Sequence, residues 1–281
     1  MRVSIVSSDS LSAADVPRLL SFASSCCVVS LVFSEWFGVD SDVARQLLTD
    51  PSMQSLQDVG PVEDESLVEL IATLPQLTSF RLTPPCPGMD NGFQPDAPLP
   101  LIHARNLRTL FLSDSRQVAD GCMPAVMQLT QLRSLSIYHP KLHAGTFVAF
   151  CSAMQRLESL ELQSWDPHLM HSIGPANLAD GFASLRCLLT LKFTNEFDAA
   201  TLAPVLHRPP LLRRLVVTLF HPFDAPAPMV ALLHAAPWLS LELHTLSLQQ
   251  SHCTAAVRAL LLDAFPDRVT ATAGRSEPSS A

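Results

Sequence analysis

The chain is 281 residues long, 48% hydrophobic and only 16% charged, with a formal net charge of −8. Scattered Lys and Arg on that acidic background argue against nucleic acid as the main ligand. No run approaches the ~18 consecutive apolar residues of a membrane span, residues 1–10 lack a basic then apolar leader, and the seven cysteines show no framework spacing. The composition therefore predicts no membrane partner, reduced thiols and an intracellular, cytoplasmic protein.

In chain order, residues 1–10 read as an N-terminal segment. Asp15 reads as the N-cap of a helix opening Val16-Pro17, and the amphipathic stretch 13–24 as a cover for one end of the array. Val28-x-x-Leu31-x-Phe33 then gives a first hydrophobic hexad, and Met53-x-x-Leu56 a degenerate one whose third position is Asp58. Glu63-Asp64-Glu65 reads as the solvated first turn of a helix reaching Leu74. Seven further hexads follow. They are Leu77-x-x-Phe80-x-Leu82, Leu107-x-x-Leu110-x-Leu112, Leu132-x-x-Leu135-x-Ile137, Leu157-x-x-Leu160-x-Leu162, Leu188-x-x-Leu191-x-Phe193, Leu212-x-x-Leu215-x-Val217 and Leu243-x-x-Leu246-x-Leu248. Pro237 stops one of the intervening helices and Pro266 the last. Val269-Thr-Ala reads as a short closing strand, and 274–281 as a tail disordered by composition.

A gapped triple of large apolar residues would occur roughly ten times by chance in so apolar a chain, so the count alone decides little. The register decides more. Successive hexads begin 30, 25, 25, 31, 24 and 31 residues apart, and Leu74, Ala104, Leu129, Met154 and Leu185 stand three positions upstream of five of them. Long repeats place their excess at 83–100, 166–180 and 220–228, where solenoid insertions form loops on one rim.

This pattern resembles the leucine-rich repeat family, in its irregular helix-containing types: ribonuclease-inhibitor-like and the cysteine-containing type associated with F-box proteins. The nearest local match is Val118-Ala-Asp120-Gly121-Cys122-Met123 running to Leu129 and Leu132, similar to the family's apolar-x-Asp-x-Gly-Leu entry into a helix. The resemblance implies an α/β fold: a right-handed solenoid, or horseshoe, over 11–273 with about nine repeats, the first two degenerate. It further implies a parallel sheet on the concave face, helices on the convex face, and a non-catalytic scaffold that binds another protein through the sheet and rim loops. The alternative it implies is the substrate-recognition part of an F-box-type ubiquitin ligase. No F-box is read in this chain, so that alternative expects a longer product or a separate ligase adaptor as partner.

Alternation along a strand turns the residues between the apolar positions outward. Fifth positions then present Arg81, Phe111, Glu161 and Lys192, seventh positions Tyr138 and Gln163, and eighth positions Asp114, His139 and Asn195. These nine are the candidate partner-binding residues. Aromatics and Arg dominate binding energy at interfaces, which centres the expectation on Phe111 and Tyr138, the chain's one tyrosine. Catalytic chemistry has no comparable signature: there is no C-x-x-C, no phosphate loop and no nucleophile elbow, and His168-x-x-His171 lacks further ligands at zinc spacing. The expectation is accordingly no catalysis, no metal and no cofactor.

Overall fold

The structure, a computed structural model, describes residues 2–7, 14–33, 41–62, 66–82, 100–112, 123–138, 142–164, 173–195, 205–206, 208–219, 230, 233–234, 236–245, 259 and 261–273. Asp114, His139, His168, His171, most of the three long loops and the tail at 274–281 lie outside the described residues. The chain forms two compact units, Met1–Ile137 and Tyr138–Ala281. Both are α/β, and every described strand pair is parallel.

In the first unit the strands are β1 (Arg2–Ser7), β2 (Cys27–Phe33), β3 (Asp58–Val62), β4 (Ser79–Leu82), β5 (Thr109–Leu112) and β6 (Ser134–Tyr138), the last ending at the boundary. They pair in chain order. Helices α1 (Val16–Ser25), α2 (Ser41–Thr49), α3 (Ser66–Ala72) and α4 (Met123–Met127) connect them. Burial in these helices follows the i, i+3, i+4 stripe of a half-buried helix: Val43, Ala44, Leu47 and Leu48 in α2, and Leu67, Val68, Ile71 and Ala72 in α3. In the second unit, β7 (Ser159–Ser164), β8 (Thr190–Asn195), β9 (Arg214–Leu219), β10 (Ser240–Thr245) and β11 (Val269–Ala273) also pair in order. There α5 (Ala144–Ala153) packs on α6 (Pro175–Ser184), with the buried Phe147 and Phe182 rings edge to face at 5.7 Å.

Two backbone devices recur at the entry to the strands. In five consecutive hexads the apolar residue three positions upstream accepts, through its carbonyl, the N–H of the hexad's first leucine: Leu74–Leu77 (3.3 Å), Ala104–Leu107 (3.0 Å), Leu129–Leu132 (2.9 Å), Met154–Leu157 (3.0 Å) and Leu185–Leu188 (3.3 Å). All five upstream residues are buried. Next, one carbonyl of each repeat takes two N–H groups of the following one. Gln57 O accepts from Thr78 and Ser79, Thr78 O from Arg108 and Thr109, Arg108 O from Arg133 and Ser134, Glu158 O from Leu189 and Thr190, and Leu189 O from Arg213 and Arg214. That shared acceptor pins the register, and a one-residue slip would turn every side chain over. The second hexad position thus stacks as Leu31, Val59, Phe80, Leu110 and Leu135 in one unit, and as Leu160, Leu191, Leu215, Leu241 and Val269 in the other.

Several sequence expectations change. Residues 2–7 are not a separate segment: β1 adds to β2, with Val3 beside Val28 and Ile5 beside Leu31. The degenerate repeat is framed three residues later than expected, since Leu56 N–H donates to Met53 O (3.0 Å) and Val59 stacks between Leu31 and Phe80. The final hexad is misframed as well. Leu243 lies beside Val217 and Ala271, and the residue bonded to the turn is Leu239, because this repeat runs one residue shorter from turn to strand. Leu246 and Leu248 fall outside the described residues. Asp15 holds the N-cap position of α1 in helical dihedrals with no side-chain cap bond. Part of the 166–180 insertion is helix, as α6 begins at Pro175. The closing strand at Val269 is present as β11. Among the described residues no helix is long and apolar enough to cross a membrane.

Candidate interaction surface

Outward side chains form rows because paired strands keep the same register. In the first unit the third-position row reads Ser30, Asp58, Ser79, Thr109 and Ser134, and the fifth-position row reads Arg81, Phe111 and Ser136. Short hydroxyl side chains thus flank longer ones. Ser30 Oγ donates to Asp58 Oδ2 at 3.1 Å within the short row. Arg81 is exposed, Phe111 half-buried, and the guanidinium carbon lies 4.9 Å from the centroid of the Phe111 ring. Such a contact at an exposed site is worth about 0.5–1 kcal/mol. Gly60 in β3 backs Arg81 at close range, with φ +145°; a Cβ built there would lie 2.6 Å from Arg81 Cβ. Tyr138 closes β6 two residues beyond Ser136.

In the second unit Glu161 and Lys192 are direct neighbours in register, with Nζ 3.8 Å from Oε2. The lysine side chain is 38% exposed and the glutamate 20%, so solvent screens the pair and its net worth is about 0–1 kcal/mol. Val216 follows Lys192 in the row but is buried. Gln163 departs from expectation more clearly. It is 8% exposed and offers a partner almost no surface. Alternation fixes the face a side chain leaves from, and not how much of it its surroundings leave open. Asn195 ends β8.

Four of the nine candidate residues come together as two pairs, Arg81 with Phe111 and Glu161 with Lys192, each within its own unit. The sequence reading missed the hydroxyl row, whose signal was present: the hexad's third residue is Ser79, Thr109, Ser134, Ser159 and Thr190 in five consecutive repeats. It also missed Gly60, whose role depends on a strand neighbour distant in sequence. Among the described residues no cluster of three His, Cys, Asp or Glu side chains is placed to hold a metal ion. No protein-family model matches the chain, and no curated protein sequence matches it.

Proposed function

We propose that this chain is a non-catalytic protein-interaction scaffold of leucine-rich repeat type, a horseshoe whose strand face and rim loops engage another protein. The observation that carries the reading is the Arg81–Phe111 stack, standing in a register-locked row beside short hydroxyl side chains. A planar cation held on a ring presents apolar surface and directed N–H donors together, and loses little conformational freedom on binding. Arg and aromatic residues of this kind concentrate the energy of protein interfaces. The repeat type is supported by the periodic hexads, the recurrent turn bond and the in-order parallel pairing within each unit.

The test is affinity capture with the whole chain, comparing wild type with a Phe111→Ala, Tyr138→Ala variant and with Arg81→Ala. Partners that cross-link to the wild-type strand face are expected to be lost from both variants while the circular dichroism spectrum stays unchanged. Undiminished capture by both would remove the strand face as the binding site.

A further inference from the structure

A second exposed strip lies on the turns that enter the strands of the Tyr138–Ala281 unit. Arg186, Arg208 and Arg213 are exposed there. So are Leu189 (43%), Leu211 (43%) and Trp238 (46%), three of the four large hydrophobic side chains found exposed among the described residues. One exposed leucine is ordinary, but three large apolar residues on consecutive turns of one edge mark an interaction site. The backbone ladder makes them neighbours: Arg213 N–H donates to Leu189 O (3.0 Å) and Ser240 N–H to Arg213 O (2.8 Å), so the turns succeed one another at the ~4.8 Å strand spacing. Arg213 spends one donor on Leu212 O (3.0 Å) and keeps the rest of its fork. On the turns at 154–158, 185–189, 208–214, 236–240 and 265–268 the carboxylates are Glu158, half-buried, and Asp267, exposed, against six arginines.

We infer that this turn edge, Arg186, Arg208 and Arg213 with Leu189, Leu211 and Trp238, binds an acidic segment of a partner protein that also carries apolar side chains. The surface is distinct from the strand face and does not depend on it. Charge complementarity selects the occupant. The chain as a whole is at −8, so a broad anionic surface such as a lipid bilayer meets net repulsion. A short acidic peptide senses only what lies within a Debye length, about 8 Å at physiological salt, and there the strip is cationic. Apolar side chains of the peptide would then cover Leu211 and Trp238.

The test selects random-sequence peptides displayed on phage against the whole chain, then measures the enriched peptides by fluorescence anisotropy. Enriched sequences are expected to be net negative and to contain aliphatic or aromatic residues. Their affinity should fall roughly tenfold in an Arg186→Ser, Arg213→Ser variant and by a similar factor in Leu211→Ser, Trp238→Ser, with salt weakening only the charge-dependent part. Phe111→Ala with Tyr138→Ala should bind them as wild type does, which separates this site from the strand face. Neutral or cationic selections, no enrichment, or equal binding by both edge variants would overturn the inference. Co-sedimentation with phosphatidylserine vesicles through these residues, undisplaced by acidic peptide, would overturn it in favour of a membrane. Should a double variant misfold by circular dichroism, Arg186→Ser and Trp238→Ser singly give the same comparison.

Discussion

Gly60→Ala should be among the most damaging single-methyl additions available to the first unit. Its Cβ would lie 2.6 Å from Arg81 Cβ, 2.7 Å from the Arg81 carbonyl oxygen and 3.1 Å from Arg81 Cα. Two of these atoms are main chain, so no rotamer change relieves the overlap, and β3 would have to part from β4. The strands already break register here, pairing Val59 with Phe80 and then Val62 with Leu82. Overpacking costs about 1–3 kcal/mol. Holding a residue with a side chain at φ +145° adds about 1–3 kcal/mol. The total of roughly 2–6 kcal/mol is a large part of an ordinary domain's ~5–15 kcal/mol. Urea unfolding followed by circular dichroism should show a lowered midpoint with an unchanged slope. Gly145→Ala is the matched control: it sits in α5 with nothing within 4 Å of a built Cβ, and should be neutral or gain up to ~1 kcal/mol. A Gly60→Ala midpoint at or above wild type would refute both the backbone conformation and the seating of Arg81 against it.

Three further changes probe the second unit and the thiols. Gly181→Ala puts a methyl 2.5 and 2.9 Å from ring atoms of Phe147, which Phe182 holds edge-on, so overpacking outweighs the helix-propensity gain and stability falls by about 1–2 kcal/mol; partial rescue by Phe147→Leu is expected, and a neutral Gly181→Ala would contradict the α5–α6 packing. Arg268 donates from Nη2 to Leu233 O (2.8 Å), Ala236 O (2.7 Å) and Leu239 O (3.1 Å) with its guanidinium 5.3 Å from the Phe265 ring, so Arg268→Met should cost about 2–3 kcal/mol in chemical denaturation. Arg268→Lys should recover only a fraction, having no planar fork, and full recovery would defeat this account. Burial pushes the Cys151 thiol far above its ordinary 9.0, so Ellman's reagent should label the exposed Cys27 in the native protein and reach Cys151 only on unfolding. Because the folded state retains that proton while the unfolded state releases it, Cys151 should make stability fall as pH rises above about 9, and Cys151→Ala should flatten that slope.

Inward positions were legible in the sequence because burial and hydrogen bonding constrain them together. Leu74, Ala104, Leu129, Met154 and Leu185 must be apolar to sit under the turn, and their carbonyls accept the next leucine's N–H, so the spacing of three is enforced twice. Where one constraint relaxes, the reading slips. Val59 replaces the usual leucine and Gly60 follows it, which shifted the apparent frame to Met53. The Leu239 repeat drops one residue before its strand, and a fixed template then locks onto Leu243. β1 has Val3 and Ile5 but no opening leucine, and its membership rests on pairing with β2. Outward, Arg81, Phe111, Glu161 and Lys192 were legible as fifth positions, whereas the contacts of Arg81 with Phe111 and of Glu161 with Lys192 come from the strand pairing. Burial of Gln163 and the exposure of Leu189, Leu211 and Trp238 depend on surroundings that no periodicity encodes.

The hydroxyl row gives a physical reason why the fifth row is free to carry specificity. Ser79, Thr109, Ser134, Thr190 and Ser240 each donate their N–H to a carbonyl of the preceding repeat, at the point where register is set. Nearby hydroxyls reinforce those carbonyls: Ser240 Oγ bonds the same Arg213 O as its own N–H (3.1 Å), and Thr78 Oγ1 bonds Gln57 O (3.0 Å). Ser and Thr are suited to such local side-chain-to-backbone bonds. At Ser240 the hydroxyl thus serves the same ladder as its own N–H. Two residues on, Arg81, Phe111, Ser136, Glu161 and Lys192 lie outside that ladder and outside the buried apolar core. Substitution there should disturb stability little, as is general for surface positions. Side-chain chemistry in that row is accordingly the least constrained by the repeat, and the packing of the apolar core does not account for Arg81 on Phe111.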